Sequence, residues 1–275
     1  MRINKSIFIN KLAAVGSYLL RLVFPPKCVI CGDLLSDSIE LCQECLEIWK
    51  SARLSRCPIC NKTARGCTCR TFHMTDSDTV GDRCMSALAF YGKFGSADKK
   101  DILVRRLVYA VKTSSDRSAV KFCARELSHE ILKTLMIAGE NTAEWKITYP
   151  QRSRKRTRKY GFDHGRDLAR LISKYTGLSL EATVKNKGKT AQKSLNALKR
   201  KINADNSYSL IDGYTPSGKY ILCDDVITTG ATVNSCARLL KESGASEVFP
   251  VCIARTKKKK RKLRRPAERP WFRSK

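Results

Sequence analysis

Two adjacent acids followed by a threonine- and glycine-rich turn are the most evident candidates for chemistry in this sequence. Asp224 and Asp225 come at the end of a strand pattern, and the residues TTGAT (228–232) lead into a helical pattern. Backbone N–H groups and hydroxyls at a helix N-terminus suit a phosphate monoester, and Gly230 permits a positive φ. Carboxylates would repel phosphate, so they fit sugar hydroxyls, or hydroxyls shared with Mg²⁺. The stretch therefore predicts a site for a ribose 5-phosphate.

Eight of the 13 cysteines lie close together near the N-terminus, mostly as C-x-x-C pairs. They are Cys28, Cys31, Cys42, Cys45, Cys57, Cys60, Cys67 and Cys69. Two such pairs complete a tetrahedral zinc site, so the four pairs predict one or two structural zinc ions. Sequential pairing gives the sets 28/31/42/45 and 57/60/67/69, and interleaved pairing is the alternative. Reduced buried cysteines or redox thiols are the competing interpretation.

The charge of the chain is strongly one-sided. There are 54 Lys and Arg against 25 Asp and Glu, a net charge of +29. This balance predicts attraction to polyanions: nucleic acid, an anionic membrane surface or a phosphorylated small molecule. Residues 257–275 hold 11 Lys or Arg against one Glu, so we expect a disordered basic tail. Nucleic-acid contact, a solvated tail and anionic membrane contact are the alternatives for its role.

The N-terminal stretch raises the question of membrane targeting. Residues 1–26 read as a helix ended by Pro25 and Pro26, and Arg21 interrupts the apolar run that precedes it. We expect an amphipathic helix docked on the first domain, with a membrane-surface or targeting role as the alternative. We expect no transmembrane segment and predict a cytoplasmic protein.

The elements that must position the acids alternate between strands and helices. Strand patterns fall at 84–92, 145–150, 219–225 and 247–255, and helical patterns at 101–112, 119–139, 162–177 and 230–244. Such alternation predicts a parallel α/β sheet. We divide the chain into an N-terminal helix (1–26), a cysteine-rich zinc-binding domain (27–72), an α/β domain (84–256) and the basic tail (257–275).

The remaining histidines and cysteines are predicted to be structural. We expect His129 to be partly exposed on a helix, and His164 to lie on the surface at a helix N-terminus, with ligand contact by His164 as the alternative. The other cysteines stand among apolar residues, so we expect them in the core. They are Cys84, Cys123, Cys223, Cys236 and Cys252.

Several segments together resemble one protein family. ILCDDVITTGAT (221–232) looks like the phosphoribosyl-pyrophosphate (PRPP) motif of type I phosphoribosyltransferases. Further segments resemble the ComF/GntX-like family, which is associated with competence for DNA uptake. They are YGFDHGRDLA (160–169), KGKTAQKSLNALKRKIN (187–203), LVRRLVYAVK (103–112) and the cysteine pairs. The chain departs from the family where Tyr160 replaces Arg, and where Asp163 and His164 replace Asn and Gln.

The resemblance implies a fold and a set of site residues. The fold would be a type I phosphoribosyltransferase-like parallel sheet flanked by helices, preceded by a small zinc-ribbon-like domain. Asp224 and Asp225 would hold ribose hydroxyls, and the 5-phosphate would be held by Thr228, Thr229, Gly230, Ala231 and Thr232. Lys112 would lie near the pyrophosphate of PRPP.

The basic loop after residue 150 occupies the place of the mobile loop that covers the active site in this fold. Its arginines are Arg152, Arg154, Arg156 and Arg158. With Lys112 and Mg²⁺, they would stabilise the charge that grows on a leaving pyrophosphate. Polynucleotide contact is the alternative role for this loop.

The sequence is compatible with three functions. The first is a binding or auxiliary protein of DNA uptake or processing, which holds PRPP or a ribose 5-phosphate with Mg²⁺. Its partners would be single-stranded DNA, through the basic loop and tail, and other DNA-uptake proteins. The second is an active Mg²⁺-dependent phosphoribosyltransferase with an unknown acceptor. The third is a regulator that senses PRPP or a nucleotide.

Overall fold

The computed structural model describes residues 23–36, 40–53, 87–91, 95–113, 117–152, 157–158, 161, 163–187 and 207–256. The helices are α1 (Gln43–Arg53), α2 (Lys99–Thr113), α3 (Ser118–Ile137), α4 (His164–Thr176) and α5 (Ala231–Glu242). The strands are β1 (Ala87–Tyr91), β2 (Trp145–Thr148), β3 (Ser179–Leu180), β4 (Val184–Asn186), β5 (Tyr208–Leu210), β6 (Gly218–Ile227) and β7 (Ala245–Thr256). Residues 1–22 of the predicted N-terminal helix (1–26) and the basic tail (257–275) lie outside these residues.

The centre of the molecule is a five-stranded sheet in the order β1-β7-β6-β2-β3. Every neighbouring pair in it is parallel, which confirms the predicted parallel α/β sheet. β6 is the middle strand, and its residues Tyr220–Cys223 are fully buried, as expected for a strand covered by helices on both faces. Because parallel strands all end at one edge, the residues that follow β2 and β6 meet at the same end of the sheet.

A second, two-stranded sheet pairs β4 with β5 in the antiparallel direction. The polar segment 182–207 has no clear strand or helix pattern in the sequence, so this pair of strands was not predicted. It joins the main body where Pro150 bridges to Val184 and where the Gln151 N–H donates to the Val184 carbonyl at 3.3 Å. Tyr208 and Leu210 pack against the core cluster that α5 shares with β6 and β7. The small sheet therefore lies beside α5 and the start of the basic loop.

Helix α4 has clear start and stop signals. The Asp163 carboxylate accepts from the backbone N–H groups of Gly165 and Arg166, which caps the N-terminus. Gly177 ends the helix in the left-handed region, at a φ of 76°, as the sequence predicted. Leu168, Ala169 and Ile172 are fully buried between them, so α4 is held firmly against the sheet.

The first cysteine-bearing segment (27–36 and 40–53) packs directly on α2 and α3. Trp49 donates from its indole N–H to Glu126 at 2.7 Å and stacks edge-on against Phe122, with ring centroids 5.5 Å apart. Arg53 pairs with Glu126 and Glu130 on α3. The buried residues Cys28, Ile30, Leu41, Cys45 and Trp49 belong to the same core cluster as the main sheet. This segment is thus joined to the α/β body through a shared apolar core.

No helix among the described residues combines the length and the apolar character that a membrane span requires.

The turn between α5 and β7 generates a stability prediction. Gly244 has a φ of 119°, and a Cβ there would lie 2.7 Å from the Pro216 carbonyl oxygen. Gly213 also has a positive φ, 73°, but open space around it. We expect Gly213→Ala to cost about 1–2 kcal/mol through backbone strain alone, and Gly244→Ala to cost more because of the added clash. Urea unfolding of the two variants measures the difference; equal costs would contradict the predicted clash.

Candidate functional site

The two acids lie within β6, which runs two residues further than the sequence pattern predicted. Asp224 pairs with Cys252 across the sheet, and β6 continues through Val226 to Ile227. The two side chains lie close to each other: the Asp225 N–H donates to Asp224 Oδ1 at 2.8 Å, and the two carboxyl groups are within hydrogen-bond reach. Asp224 also acts on Tyr208 of β5 and Cys236 of α5, whereas Asp225 forms ion pairs with two cations. The site therefore has two acidic positions in different surroundings.

Asp224 is the more confined of the two acids. Burial, and then the charge of the neighbouring Asp225, raise the pKa of its carboxyl to about 8. The Asp224 carboxyl therefore keeps its proton to a higher pH than an ordinary aspartic acid does. A protonated carboxyl can both donate to and accept from a hydroxyl, which suits contact with a sugar.

Asp225 is the meeting point of two cations that are distant in sequence. Lys112, in the last turn of α2, brings its Nζ to 3.4 Å from Asp225 Oδ2. Arg152, just after β2, brings Nη2 to 4.0 Å from the same oxygen. The two cations would repel each other, and the carboxylate between them offsets that repulsion. The role of Lys112 beside a pyrophosphate stays a prediction, but its side chain stands at the acid pair.

Of the other predicted loop arginines, Arg154 and Arg156 lie outside the described residues. Arg158 is described and is exposed. Arg152, which has its side chain 26% exposed, is the loop arginine that reaches the acids among the residues that the structure describes.

The turn after β6 leads directly into the N-terminus of α5. Gly230 caps α5 with φ 77° in the left-handed region, as predicted, and is itself buried. Thr228 and Thr229 are exposed, and the Ala231 N–H lies 3.4 Å from the Thr229 hydroxyl. Thr256 at the end of β7 donates to the Thr228 carbonyl at 2.8 Å, which fixes the start of the turn. The exposed residues Thr228 and Thr229 thus place the start of α5 at the surface, a few residues after the acids.

Two residues near the acids differ from the sequence predictions: Tyr208 was not predicted to contribute, and His164 was predicted on the surface. Tyr208 contacts the side chains of Thr232 and Asn186, and burial raises the pKa of its phenol to about 12. It was missed because β5 has no strong pattern. His164 was expected on the surface, but it is only 3% exposed, so that prediction is wrong. It sits in the first turn of α4, facing inward behind the Asp163 cap.

His164 is surrounded by the groups of the site. Its ring hydrogen-bonds to the backbone of Lys112, and it lies in the electrostatic reach of Arg152, Asp225 and Asp163. Burial and then the Arg152 charge lower the pKa of the imidazole. The ring is therefore a neutral donor at pH 7. His129, by contrast, has a side chain that is 73% exposed, as predicted.

A second candidate site is formed by four of the predicted zinc ligands. The Sγ atoms of Cys28, Cys31, Cys42 and Cys45 all lie within 4.8 Å of one another. The Cys31 and Cys42 sulfurs are 3.6 Å apart, close to the ~3.8 Å edge of a tetrahedron with ~2.3 Å Zn–S bonds. This group could hold one metal ion such as zinc, with the sequential pairing of the first two C-x-x-C turns. Cys57, Cys60, Cys67 and Cys69 lie outside the described residues.

The thiols of this group differ in acidity. Burial raises the pKa of a thiol, but at Cys28 the backbone N–H groups of Cys31, Cys42 and Ile30 outweigh it and bring the pKa to about 7. Burial and the shared hydrogen bonds raise the pKa of Cys31 to about 12 and that of Cys45 above its usual range. One thiolate is thus ready at neutral pH, and a metal ion would have to displace the other protons.

The remaining cysteines of the described residues are core residues, as predicted. Cys123, Cys223, Cys236 and Cys252 are fully buried, and Cys84 lies outside the described residues.

The cysteine group generates a test of metal content. We expect reduced wild-type protein to carry one or two zinc ions per chain, and Cys42→Ala to carry one fewer, because four thiolates complete a structural site. Elemental analysis of purified, reduced protein measures this. Cys223→Ala, which removes a buried thiol of β6, is the control and should leave the zinc content unchanged. Equal zinc in wild type and Cys42→Ala would contradict the site.

Comparison with known proteins gives relatives along most of the chain. It is 26% identical over 241 residues to DNA utilization protein YhgH of Salmonella typhimurium, which covers 86% of this chain and 99% of that protein. It is 24% identical over 242 residues to competence protein ComFC of Streptococcus pneumoniae, covering 83% of this chain and 100% of that protein. No protein-family model matches the chain.

Similar solved structures are phosphoribosyltransferases and enzymes of purine biosynthesis. An allosteric regulatory enzyme of purine biosynthesis has a TM-score of 0.35 and 18% identity, over 55% of this chain and 30% of that chain. Adenine phosphoribosyltransferase of Saccharomyces cerevisiae has a TM-score of 0.32 and 16% identity, over 48% of this chain and 68% of that chain. The sheet flanked by helices and the N-terminal cysteine group agree with the predicted fold class. The resemblance seen in the sequence is confirmed, and the chain is a relative of the proteins named ComFC and YhgH.

Proposed function

We propose that this protein binds PRPP or a related ribose 5-phosphate, with Mg²⁺, at the junction of β6 and α5, and that it serves DNA uptake or processing as a binding or auxiliary factor. The observation that carries the proposal is the meeting of Asp225 with Lys112 and Arg152 close to the N-terminus of α5. These groups come from three separate segments. Together they offer donors for phosphate and acids for sugar hydroxyls.

The division of roles follows from the local chemistry. The 5-phosphate would be held by the N–H groups and hydroxyls of residues 228–232, where the dipole of α5 favours an anion. The ribose hydroxyls would contact Asp224 and Asp225. The diphosphate of PRPP would draw Lys112 and Arg152 away from Asp225. Mg²⁺ prefers carboxylate and phosphate oxygens in octahedral geometry, and it would accompany the diphosphate.

The link to DNA is supported by the relatives and by charge. Proteins named for competence and DNA utilization match most of the chain. The net charge of +29 includes the basic loop, which starts at Arg152, and the tail, 257–275. Single-stranded DNA is the proposed partner of these segments, and other DNA-uptake proteins are proposed as further partners. Structural zinc at the first cysteine group completes the proposal.

A second candidate function is catalysis, as a Mg²⁺-dependent phosphoribosyltransferase with an unknown acceptor. Lys112 and Arg152 favour it, because two cations beside the ribose acids could stabilise negative charge on a departing diphosphate. Phosphoribosyl transfer requires no protein nucleophile. Release of diphosphate from PRPP, screened across candidate acceptors, distinguishes this enzyme from a binding protein.

The ligand proposal predicts a defined loss on removing the acids. We expect wild type to bind PRPP in the presence of Mg²⁺, and Asp224→Asn/Asp225→Asn to bind it at least about tenfold more weakly, since hydrogen bonds to charged groups contribute ~1.5–3 kcal/mol. Isothermal titration calorimetry measures both affinities. Asp212→Asn is the matched control, because this acid is 93% exposed and pairs with Lys185. Absence of PRPP binding by wild type would reject the proposal.

The DNA proposal predicts a separable basic surface. Removal of residues 257–275 takes away 11 cations. We expect this deletion to weaken single-stranded DNA binding and to flatten its salt dependence, because fewer counterions are released, while PRPP affinity stays unchanged. Fluorescence anisotropy over a salt series measures the first effect. Unchanged DNA affinity and salt slope would exclude the tail as a DNA-binding segment.

A further inference from the structure

The two cations of the site are attached through their backbones to the same place on α4. Lys112 lies in the last turn of α2, where helix carbonyls have no partner within the helix. The ring of His164 hydrogen-bonds to the backbone of Lys112 and so supplies a donor at this helix end. The position from which the Lys112 side chain extends to Asp225 is thereby fixed by a side chain of α4.

Arg152 is fixed in the same way by the residue before His164. The Arg152 N–H donates to Asp163 Oδ2 at 3.1 Å. The other carboxylate oxygen, Oδ1, accepts from the N–H groups of Gly165 at 3.1 Å and Arg166 at 3.3 Å. One carboxylate therefore caps α4 and holds the backbone of Arg152, the first arginine of the basic loop, whose side chain reaches Asp225.

The pair Asp163 and His164 is rigidly supported. Their exposures are 5% and 3%, and the next turns of α4 bury Leu168, Ala169 and Ile172 completely. Both hydrogen-bond partners belong to other segments, α2 and the loop after β2. Two consecutive buried residues thus connect the backbones of both cations that face Asp225.

The imidazole adds no charge of its own at neutral pH. The groups that face it are Lys112, Arg152, Asp225 and Asp163. A protonated ring would place a third cation among them, which burial and Arg152 both oppose. His164 therefore acts through its hydrogen bond to the backbone of Lys112, and an amide side chain of similar reach can replace it.

We propose that Asp163 and His164 are positioning residues that hold Arg152 and Lys112 at the acid pair, and that they give the site its preference for a diphosphate-bearing ribose 5-phosphate over a ribose 5-phosphate without it. This inference rests on the proposed ligand site. The 5-phosphate end of the ligand would be served by the turn after β6, a different segment from the α4 residues that hold Arg152 and Lys112. Loss of the positioning pair consequently weakens the contacts of the protein with the diphosphate of the ligand and leaves its contacts with the 5-phosphate unchanged.

The test compares two ligands on matched variants. The affinities of PRPP and of ribose 5-phosphate, both with Mg²⁺, are measured by calorimetry for wild type, His164→Ala, His164→Gln and Lys112→Ala. We expect His164→Ala to lose about tenfold in PRPP affinity, as for one weakened charge-assisted contact, with ribose 5-phosphate affinity unchanged. His164→Gln should retain the preference, because its amide donates to the same carbonyl. In a Lys112→Ala background, His164→Ala should lower PRPP affinity by a smaller factor than it does in wild type, because the side chain that His164 positions is already missing. The contact of Arg152 with the ligand is left intact in both backgrounds.

The control is Thr176→Ala, which removes a hydroxyl that donates to the Ile172 carbonyl at the other end of α4. It should leave both affinities unchanged, although it removes a hydrogen bond from the same helix. If His164→Ala does not fold, His164→Asn, whose side chain is too short to reach the carbonyl, gives the same comparison.

Three results would overturn the inference. An equal loss for both ligands would make His164 a general structural residue. A preference for PRPP that persists in both His164→Ala and His164→Asn would show that His164 does not position Lys112, which overturns the proposed role of the pair. Failure of wild type to bind either ligand would reject the proposed function and this inference with it, whereas binding of ribose 5-phosphate without any preference for PRPP would reject the inference alone.

Discussion

The contact of Asp225 with Lys112 and Arg152 is the interaction on which the account of this molecule depends. It joins the middle strand of the sheet to the end of α2 and to the beginning of the basic loop. Lysine and arginine side chains repel each other in isolation, so their approach requires the carboxylate between them. The sheet sets this carboxylate in place through the register of β6 with β2 and β7. A ligand with its own negative charges could exchange with Asp225 for the same cations.

Helix α2 connects this contact to the cysteine group. Its buried residues, including Leu103 and Leu107, share a core with Cys28, Cys45 and Trp49 of the cysteine-bearing segment. Its last turn carries Lys112. The exposed pair between Lys99 and Glu44 adds little by itself, since surface ion pairs are weak, so the apolar packing is what holds the helix against this segment. A metal ion that orders the cysteine group would thereby stabilise one wall of the candidate site from a distance.

The sequence predicted those parts of the structure that local patterns determine. The alternating strands and helices, the stop of α4 at Gly177 and the positive φ of Gly230 follow from periodicity and from the freedom of glycine. The acid pair and its turn could be recognised as one unit because they are contiguous. Lys112 was singled out through the family resemblance, and no spacing argument links it to Asp225.

The errors concern features that only the tertiary structure decides. The burial of His164 depends on how α4 lies over the end of α2, and the capping position of Asp163 alone does not reveal it. The hydrogen bond from the Arg152 N–H to the Asp163 carboxylate ties the start of the basic loop to α4, whereas the composition of that loop indicated only its positive charge. β4 and β5 are three residues each and polar, so their pairing depends on the core beside α5 more than on their own pattern.

The most direct test of the central claim is a crystal structure of the protein with ribose 5-phosphate and Mg²⁺. We expect the phosphate to lie against the N–H groups of the turn 228–232, and the ribose hydroxyls to lie within hydrogen-bond distance of Asp224 and Asp225. A ligand whose phosphate lies away from this turn, or whose hydroxyls face away from both acids, would contradict it.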